Sequence, residues 1–261
     1  MNPSGRGTNQ RYCEAHASGT LLCPFCRLHV RFFEVPLSLS KLISHPSKTN
    51  TKGDLHLICS HLALINVDLE LATRLVGGTE RDLRNNYLRV HSRLRNGLES
   101  LESEYDFALI DCPPNLNIVT KTAIVASDYL LVPTKPDYLS TLGIEQLEKH
   151  VKELVKMYNK YIADSGSAEW KNISPKTLGI LFTMIQVRNN APISAQQPYI
   201  EQVRRLGLPI LNNQIRENKT IYADAPEYGV PVVLKRVSGQ TYVNVQAELE
   251  KLTTEVLEKA I

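Results

Sequence analysis

The sequence of 261 residues contains no apolar run near the roughly 18 residues that a membrane helix needs. Its five cysteines are an odd number, which makes a disulfide framework improbable. The net charge of +3 is too small to indicate a dedicated nucleic-acid binder. The N-terminus has no basic-then-apolar signal pattern, which predicts a cytoplasmic protein with reduced thiols and no membrane partner.

Residues 1–50 differ from the rest of the chain because they show no sustained apolar periodicity of either helix or strand. We predict that they form an irregular, poorly ordered N-terminal appendage that makes few contacts with the body. The body, residues 54–261, is predicted to be one domain.

In the body, apolar strand-like runs alternate with amphipathic segments, and Thr79 to Asp82 has the pattern of a capping box at a helix start. This alternation predicts an α/β fold with a three-layer, doubly wound and mostly parallel sheet. The predicted strands are residues 55–59, 107–110, 129–132, 178–183 and 208–215. The predicted helices are residues 62–76, 79–103, 117–126, 142–162, 195–206 and 242–260.

Asp111 follows the apolar run 107–110, which is typical of a strand buried on both faces. Ligands of open α/β sheets bind beyond the carboxyl ends of the strands, so a carboxylate there can hold Mg²⁺ directly or through water. The alternative is an aspartate that caps the turn into the next helix.

Residues 105–116 and 122–133 resemble the Walker B region of the ParA/Soj family of partition ATPases, which are deviant P-loop NTPases of the MinD/ParA type. Further matches lie at residues 54–60, 179–184, 215–218 and 224–232. The resemblance covers about residues 54–260, and it implies a P-loop NTPase-like fold and a switch in chromosome or plasmid segregation.

The resemblance also implies site residues. Asp111 would be the Walker B aspartate near Mg²⁺, reached through a water, and Pro113 would lie beside the nucleotide. The family's adenine pocket would be walled by Thr183, Met184, Ile215, Arg216 and Asn218. Non-specific DNA, a ParB-like adaptor and a second copy of the chain in a nucleotide-bound dimer on the nucleoid are the implied partners. The DNA contacts would come from Arg188, Arg204, Arg205, Lys235 and Arg236.

The sequence departs from the family at the phosphate-binding loop. No Gly-Lys-Ser/Thr tripeptide occurs anywhere in the chain, and the nearest string, residues 46–49, contains no glycine. Phosphoryl transfer depends on positioning and charge stabilisation by such a loop. We therefore expect this chain to bind MgATP weakly and not to hydrolyse it, although the family has ATPase activity.

The first fifty residues offer a different chemistry. Cys13, His16, Cys23 and Cys26 have the ligand types of a tetrahedral zinc site, with a short spacer between the two pairs. The second pair also resembles a thioredoxin-type redox motif. A third interpretation is a frameshifted or rearranged segment that replaces the family's phosphate-binding loop.

Two functions therefore stay open from the sequence. One is a ParA-like partition switch with impaired ATP hydrolysis. The other is a non-catalytic scaffold relative or incomplete gene product.

Overall fold

A computed structural model of the chain describes the backbone of residues 14–15, 20–22 and 29–31, and then residues 56, 58, 64–188, 191–222, 232–234 and 239–261. The chain divides into two compact units, Met1–Ala126 and Ser127–Ile261. No helix in the described ranges is long and apolar enough to cross a membrane.

The first unit begins with three short antiparallel strands, β1 (Glu14–Ala15), β2 (Thr20–Leu22) and β3 (His29–Arg31). Most of residues 1–50 lie outside the described residues, so the predicted irregular appendage stays a prediction. Three helices follow, α1 (Leu64–Arg74), α2 (Glu80–Glu99) and α3 (Ile118–Ala126). They match the predicted helices 62–76, 79–103 and 117–126 to within four residues at each end.

Helix α2 begins where the capping-box pattern predicts. The Asp82 N–H donates to the Thr79 Oγ1 at 3.2 Å, and the Thr79 hydroxyl donates to the Asp82 carboxylate at 2.7 Å. Helices α2 and α3 pack against each other, and each contributes buried apolar side chains, Leu88 and Val90 from α2 and Ile124 and Val125 from α3.

The second unit is built on parallel strands, which confirms the predicted α/β class. Strands β4 (Tyr129–Thr134) and β5 (Lys176–Phe182) pair in parallel, joined by the long helix α4 (Tyr138–Ser165). A parallel bridge joins Ile180 to Ile210 on the other edge of β5. A short hairpin of β6 (Val187–Arg188) and β7 (Ala191–Pro192) leads to α5 (Gln197–Arg205), and α6 (Gln240–Ala260) ends the chain.

Helix α4 is longer than its predicted range of 142–162. The Asp137 side chain accepts a hydrogen bond from the Ser140 N–H at 2.9 Å, which caps the helix four residues before the expected start. The other end stops at Gly166, whose φ of 62° needs the left-handed conformation that glycine adopts without strain. Buried residues of α4, β5 and α5, together with Ile185 after β5, form the main hydrophobic core of this unit: Ile144, Ile180, Phe182, Ile185, Ile200 and Val203.

The predicted strand 208–215 is interrupted. Ile210 pairs with Ile180, but the Glu255 carboxylate of α6 accepts hydrogen bonds from the backbone N–H groups of Asn212 and Asn213, at 2.7 and 2.9 Å. These two N–H groups therefore do not form hydrogen bonds with a neighbouring strand. The chain returns to the edge of β5 at Ile215, whose N–H donates to the Phe182 carbonyl at 2.9 Å.

The prediction of a buried strand at residues 107–110 is wrong for the described structure. The segment belongs to no strand, Phe107 is 48% exposed and Leu109 is 93% exposed. The physical reason is that a strand is buried on both faces only when neighbouring strands and helices cover it, and no described strand pairs with this segment. The predicted neighbour, residues 55–59, is described only at His56 and Ile58, neither of which lies in a strand.

Candidate functional site

In the first unit, the candidate site is the turn between residues 107–110 and α3. Asp111 is exposed there, and the Asn115 N–H donates to the Pro113 carbonyl at 2.8 Å, which closes the turn. Cys112 is also exposed. Partial burial and the adjacent Asp111 raise the pKa of its thiol, so Cys112 is a weak nucleophile at neutral pH.

The N-terminus of α3 is closed by two side chains. The Asp68 carboxylate of α1 accepts from the N–H groups of Ile118 and Val119 at 2.9 and 3.3 Å, and Asn117 accepts from the Thr120 N–H at 2.9 Å. Free N–H groups at a helix N-terminus are what usually binds a phosphate. Here the Asp68 carboxylate already accepts from these N–H groups. The sequence does not reveal this contact, because Asp68 lies about fifty positions before α3.

In the second unit, the structure brings together the five residues predicted to wall an adenine pocket. The Ile185 N–H donates to the Ile215 carbonyl at 3.1 Å, and the Glu217 N–H donates to the Ile185 carbonyl at 2.9 Å. The segment 183–186 after β5 therefore lies directly beside residues 215–218. Thr183 is held to β4, since its N–H donates to the Thr134 carbonyl at 2.8 Å.

Arg216 and Asn218 have partners within the chain. The Arg216 Nε donates to the Glu248 Oε1 at 2.6 Å, and its Nη2 contacts the same oxygen. Asn218 accepts from the Ile221 N–H at 3.0 Å and so caps the helical turn 219–222. The polar run after the strand is thus satisfied internally, and the positive charge of Arg216 is balanced by α6.

Two oxygen atoms beside Arg216 remain unsatisfied in the part of the chain that the structure describes. They are the second carboxylate oxygen of Glu248 and the hydroxyl of Tyr222, both buried. Burial, followed by the negative charge of Glu248, raises the pKa of Tyr222, and Arg216 opposes the shift. Tyr222 is therefore a neutral hydroxyl at this place.

Met184 is the one non-glycine residue with a positive φ, 54°, among the residues that the structure describes. Its side chain is 54% exposed at the carboxyl end of β5. A left-handed conformation is strained in a residue that has a Cβ, and such strained residues are frequent at functional sites.

The described residues do not fit a triphosphate with its Mg²⁺. Asp111 is a lone exposed carboxylate, and within the described ranges no group of three or more His, Cys, Asp or Glu side chains is placed to hold a metal. The N–H groups of α3 are occupied, and Arg216 is paired. Residues 183–184 and 215–218 lie close together after β5, and their role as walls of an adenine pocket stays a prediction.

The remaining predicted residues fall into two groups. Arg188 and Arg205 are exposed, and Arg204 forms an ion pair with Glu201 one helical turn away. The zinc ligands Cys13, His16, Cys23 and Cys26, together with Lys235 and Arg236, lie outside the described residues, so both assignments stay predictions.

Comparison with solved structures places this fold in a class. The chain matches apo McdA from Cyanothece with a TM-score of 0.63 and 18% identity, over 86% of this chain and 74% of that one. An ATP complex of a McdA variant matches with a TM-score of 0.57 and 16% identity, over 84% and 71%. The fold is thus an α/β fold of the P-loop NTPase type.

Sequence comparison gives the family. The model of the AAA domain matches residues 28–163, about half of the chain, and starts inside the segment predicted as an appendage. The chain is 28% identical to the sporulation initiation inhibitor protein Soj of Bacillus subtilis over 169 residues, 65% of this chain. It is 32% identical to the chromosome partitioning protein ParA of Myxococcus xanthus over 186 residues, 70% of this chain. The chain belongs to the AAA-domain family of ParA- and Soj-type proteins.

The matched region spans only part of these relatives. It covers 60% of Soj from Bacillus subtilis and 59% of ParA from Myxococcus xanthus. A third relative, ParA of Caulobacter vibrioides, is 27% identical and is covered over 65% of its length.

Proposed function

We propose that this chain works in DNA segregation as a ParA-type partition protein on the nucleoid, with non-specific DNA and a ParB-like adaptor as its partners and a homodimer as its working form. Relatives named for chromosome partitioning support the proposal. We further propose that the chain as written binds MgATP weakly and does not hydrolyse it.

The second part of this proposal rests on the missing tripeptide and on the hydrogen bonds that the described helix N-terminus already makes. The sequence has no Gly-Lys-Ser/Thr tripeptide, and the α3 N-terminus is already bound to Asp68. A triphosphate holds most of the charge of ATP, and it needs backbone N–H groups and a lysine to balance that charge. Contacts to adenine alone leave this charge unpaired.

The test is a titration with a fluorescent ATP analogue and Mg²⁺, together with an assay of phosphate release. We expect binding weaker than micromolar and no release above the background. Asp111→Ala is the site variant, and Asp106→Ala is its matched control, because Asp106 is an exposed carboxylate five residues away. Micromolar binding with turnover that only Asp111→Ala abolishes would contradict the proposal.

The DNA arm of the proposal depends on exposed arginines of the second unit. Replacing both Arg188 and Arg205 with alanine should weaken binding to a duplex of arbitrary sequence and lower the salt dependence by up to about two phosphate contacts. The control replaces Arg81 and Arg89, two exposed arginines of α2. Equal losses for both pairs would show that the contact is not localised.

The alternative function is a non-catalytic scaffold that keeps the fold without nucleotide turnover, which the missing Gly-Lys-Ser/Thr tripeptide also favours. The two differ in DNA binding. A partition protein binds duplex DNA and an adaptor protein. A scaffold that has lost the switch binds neither of them, whether or not ATP is present.

A further inference from the structure

The side chain of Gln196 is buried in the second unit, and neither its sequence position nor the proposed function explains why an amide lies there. Gln196 is only 6% exposed and directly precedes α5. A buried amide is costly unless its donor and acceptor are both used. Both are used here, and both partners lie in the segment that follows β5.

The two hydrogen bonds of Gln196 lie on either side of Ile185, directly after the strained Met184. Its Nε2 donates to the Met184 carbonyl at 3.2 Å, and its Oε1 accepts from the Gln186 N–H at 2.9 Å. The Ile193 N–H donates to the Gln186 carbonyl at 2.9 Å, and the Gln196 N–H donates to the Ile193 carbonyl at 3.0 Å. Gln196 thus fixes the backbone on both sides of Ile185, next to the left-handed Met184.

The same segment carries the second wall of the candidate site. Ile185 makes two backbone hydrogen bonds to Ile215 and Glu217, and the Gln186 side chain donates to the Glu217 carboxylate at 2.9 Å. Residues 185–186 are therefore one of the anchors of residues 215–217, beside the bond from the Ile215 N–H to the Phe182 carbonyl. Arg216 lies between Ile215 and Glu217, so a shift of residues 185–186 is expected to move Arg216 as well.

We infer that Gln196 is a positioning residue that holds Met184 in its left-handed conformation and, through residues 185–186, sets the spacing of the two walls 183–184 and 215–218. The inference rests on the proposed function only in treating these walls as a ligand site. The physical logic is that strain at Met184 persists only when the surroundings over-determine it, and the bidentate amide supplies that constraint.

The chain offers a clean spectroscopic test, because it has three methionines and Met157 lies on α4, away from this segment in the sequence. With ¹³C-methyl methionine labelling, Gln196→Ala should shift or broaden the Met184 signal and leave the Met157 signal in place. Met184→Leu assigns the peak. The matched control is Gln197→Ala, since Gln197 is the adjacent, exposed glutamine that bonds only to the Pro192 carbonyl in the described structure.

A double-mutant comparison tests the strain itself. Gln196→Ala should lower Tm by several degrees, roughly 2–6 °C. In a Met184→Gly background the same change should cost about half as much or less, because glycine adopts positive φ without strain.

Gln196→Glu gives a further variant in case the alanine variant folds poorly. A protonated carboxyl has both a donor and an acceptor, whereas a carboxylate has lost the donor. We expect the Met184 signal of Gln196→Glu to approach that of the wild type as the pH is lowered.

The inference is overturned if Gln196→Ala leaves the Met184 signal unchanged, if it costs the same Tm in the Met184→Gly background, or if Gln197→Ala has the same effect. None of these measurements uses a nucleotide. A failure here is therefore distinct from a failure of the proposed function, which the ATP and DNA titrations test.

Discussion

Residues 107–109 in the first unit lie exposed to solvent and Ile110 is half-buried, whereas β5 in the second unit is buried at its last five residues. Strand β5 has β4 hydrogen-bonded to one edge, and Pro209, Leu211 and Ile215 are hydrogen-bonded to the other. Residues 107–110 have neither neighbour among the described strands. An apolar segment therefore becomes a buried core strand only when other segments pair with both of its edges. Apolar composition alone does not bury it.

The largest effect on the free energy of unfolding should come from truncating a buried side chain of β5. Phe182→Ala removes a fully buried ring from the core of the second unit and should cost about 4 kcal/mol in the free energy of unfolding. The measurement is urea unfolding followed by the fluorescence of Trp170, the single tryptophan, which is buried in that unit.

The matched variant is Leu109→Ala, which should change the free energy of unfolding by no more than about 0.5 kcal/mol because the side chain is already in solvent. Circular dichroism reports on this variant. A cost near that of Phe182→Ala would mean that residues 107–110 are buried in solution, and the comparison would be broken.

The next effect concerns Glu255, which holds the interrupted edge beside β5. Glu255→Ala leaves the N–H groups of Asn212 and Asn213 without their carboxylate and should cost about 2 kcal/mol. Glu258→Ala, an exposed glutamate one turn later, is the control and should be neutral within error. Equal costs for the two variants would show that the hydrogen bonds from Asn212 and Asn213 to Glu255 do not contribute to the free energy of unfolding.

Glu255 also predicts a pH dependence. Burial opposes ionisation, but the hydrogen bonds from Asn212 and Asn213 outweigh it and hold the pKa of Glu255 below its usual 4.5. The stabilisation is therefore complete above pH 4.5 and is lost as the pH falls through the lowered folded-state value. Glu255→Gln should flatten this acid limb of the stability curve, as measured by Trp170 fluorescence.

A smaller effect should come from the helix cap in the first unit. Asp68→Ala removes the carboxylate from the Ile118 and Val119 N–H groups and should cost about 1 kcal/mol. Hydrogen exchange at these two amides should speed up in Asp68→Ala and stay unchanged in the control Asp106→Ala. The prediction fails if both variants exchange at the wild-type rate.

The smallest effect is expected at His91, because it involves one imidazole over a narrow pH range. His91 is buried in α2, stacks on Tyr87 at 4.0 Å and contacts the Tyr87 carbonyl through Nδ1 at 2.9 Å. Burial lowers the pKa of His91 below 6.5, and the hydrogen bond to the Tyr87 carbonyl opposes this shift.

Below pH 6.5 the unfolded chain binds a proton that the folded chain does not, so stability should fall as the pH is lowered from 6.5 and stay level above it. Unfolding midpoints at pH 5.5 and 7.5 measure this difference. His91→Gln should reduce it, and the exposed His150→Gln should not. A difference that survives in His91→Gln would assign the effect to another group.

Local sequence signals were sufficient for most of the helices. The Thr79 cap and the 3.6-residue periodicity predict α2, and the end of α4 lies near the predicted one because Gly166 ends it. The start of α4 was missed although Asp137, with Ser140 three residues later, is a recognisable cap. For these elements the information lies within one turn of the chain.

The predicted site residues 183–184 and 215–218 lie in neighbouring segments, and their role as walls of an adenine pocket stays a prediction. The partners that occupy Arg216 and the α3 N-terminus were missed, because Glu248 and Asp68 lie 32 and 50 positions away from the groups they bind. Gln196 was missed for another reason, since its two hydrogen bonds leave no periodic pattern.

The sequence by itself determined the positions of most helices, the α/β class and the absence of a Gly-Lys-Ser/Thr tripeptide, because each depends on residue type and short spacing. Only the tertiary structure decided that Leu109 is exposed, that Glu255 interrupts the edge beside β5 and that Gln196 holds the left-handed Met184. The physical reason is that periodicity and caps act over one or two turns of chain, whereas burial and charge balance depend on which distant segments meet.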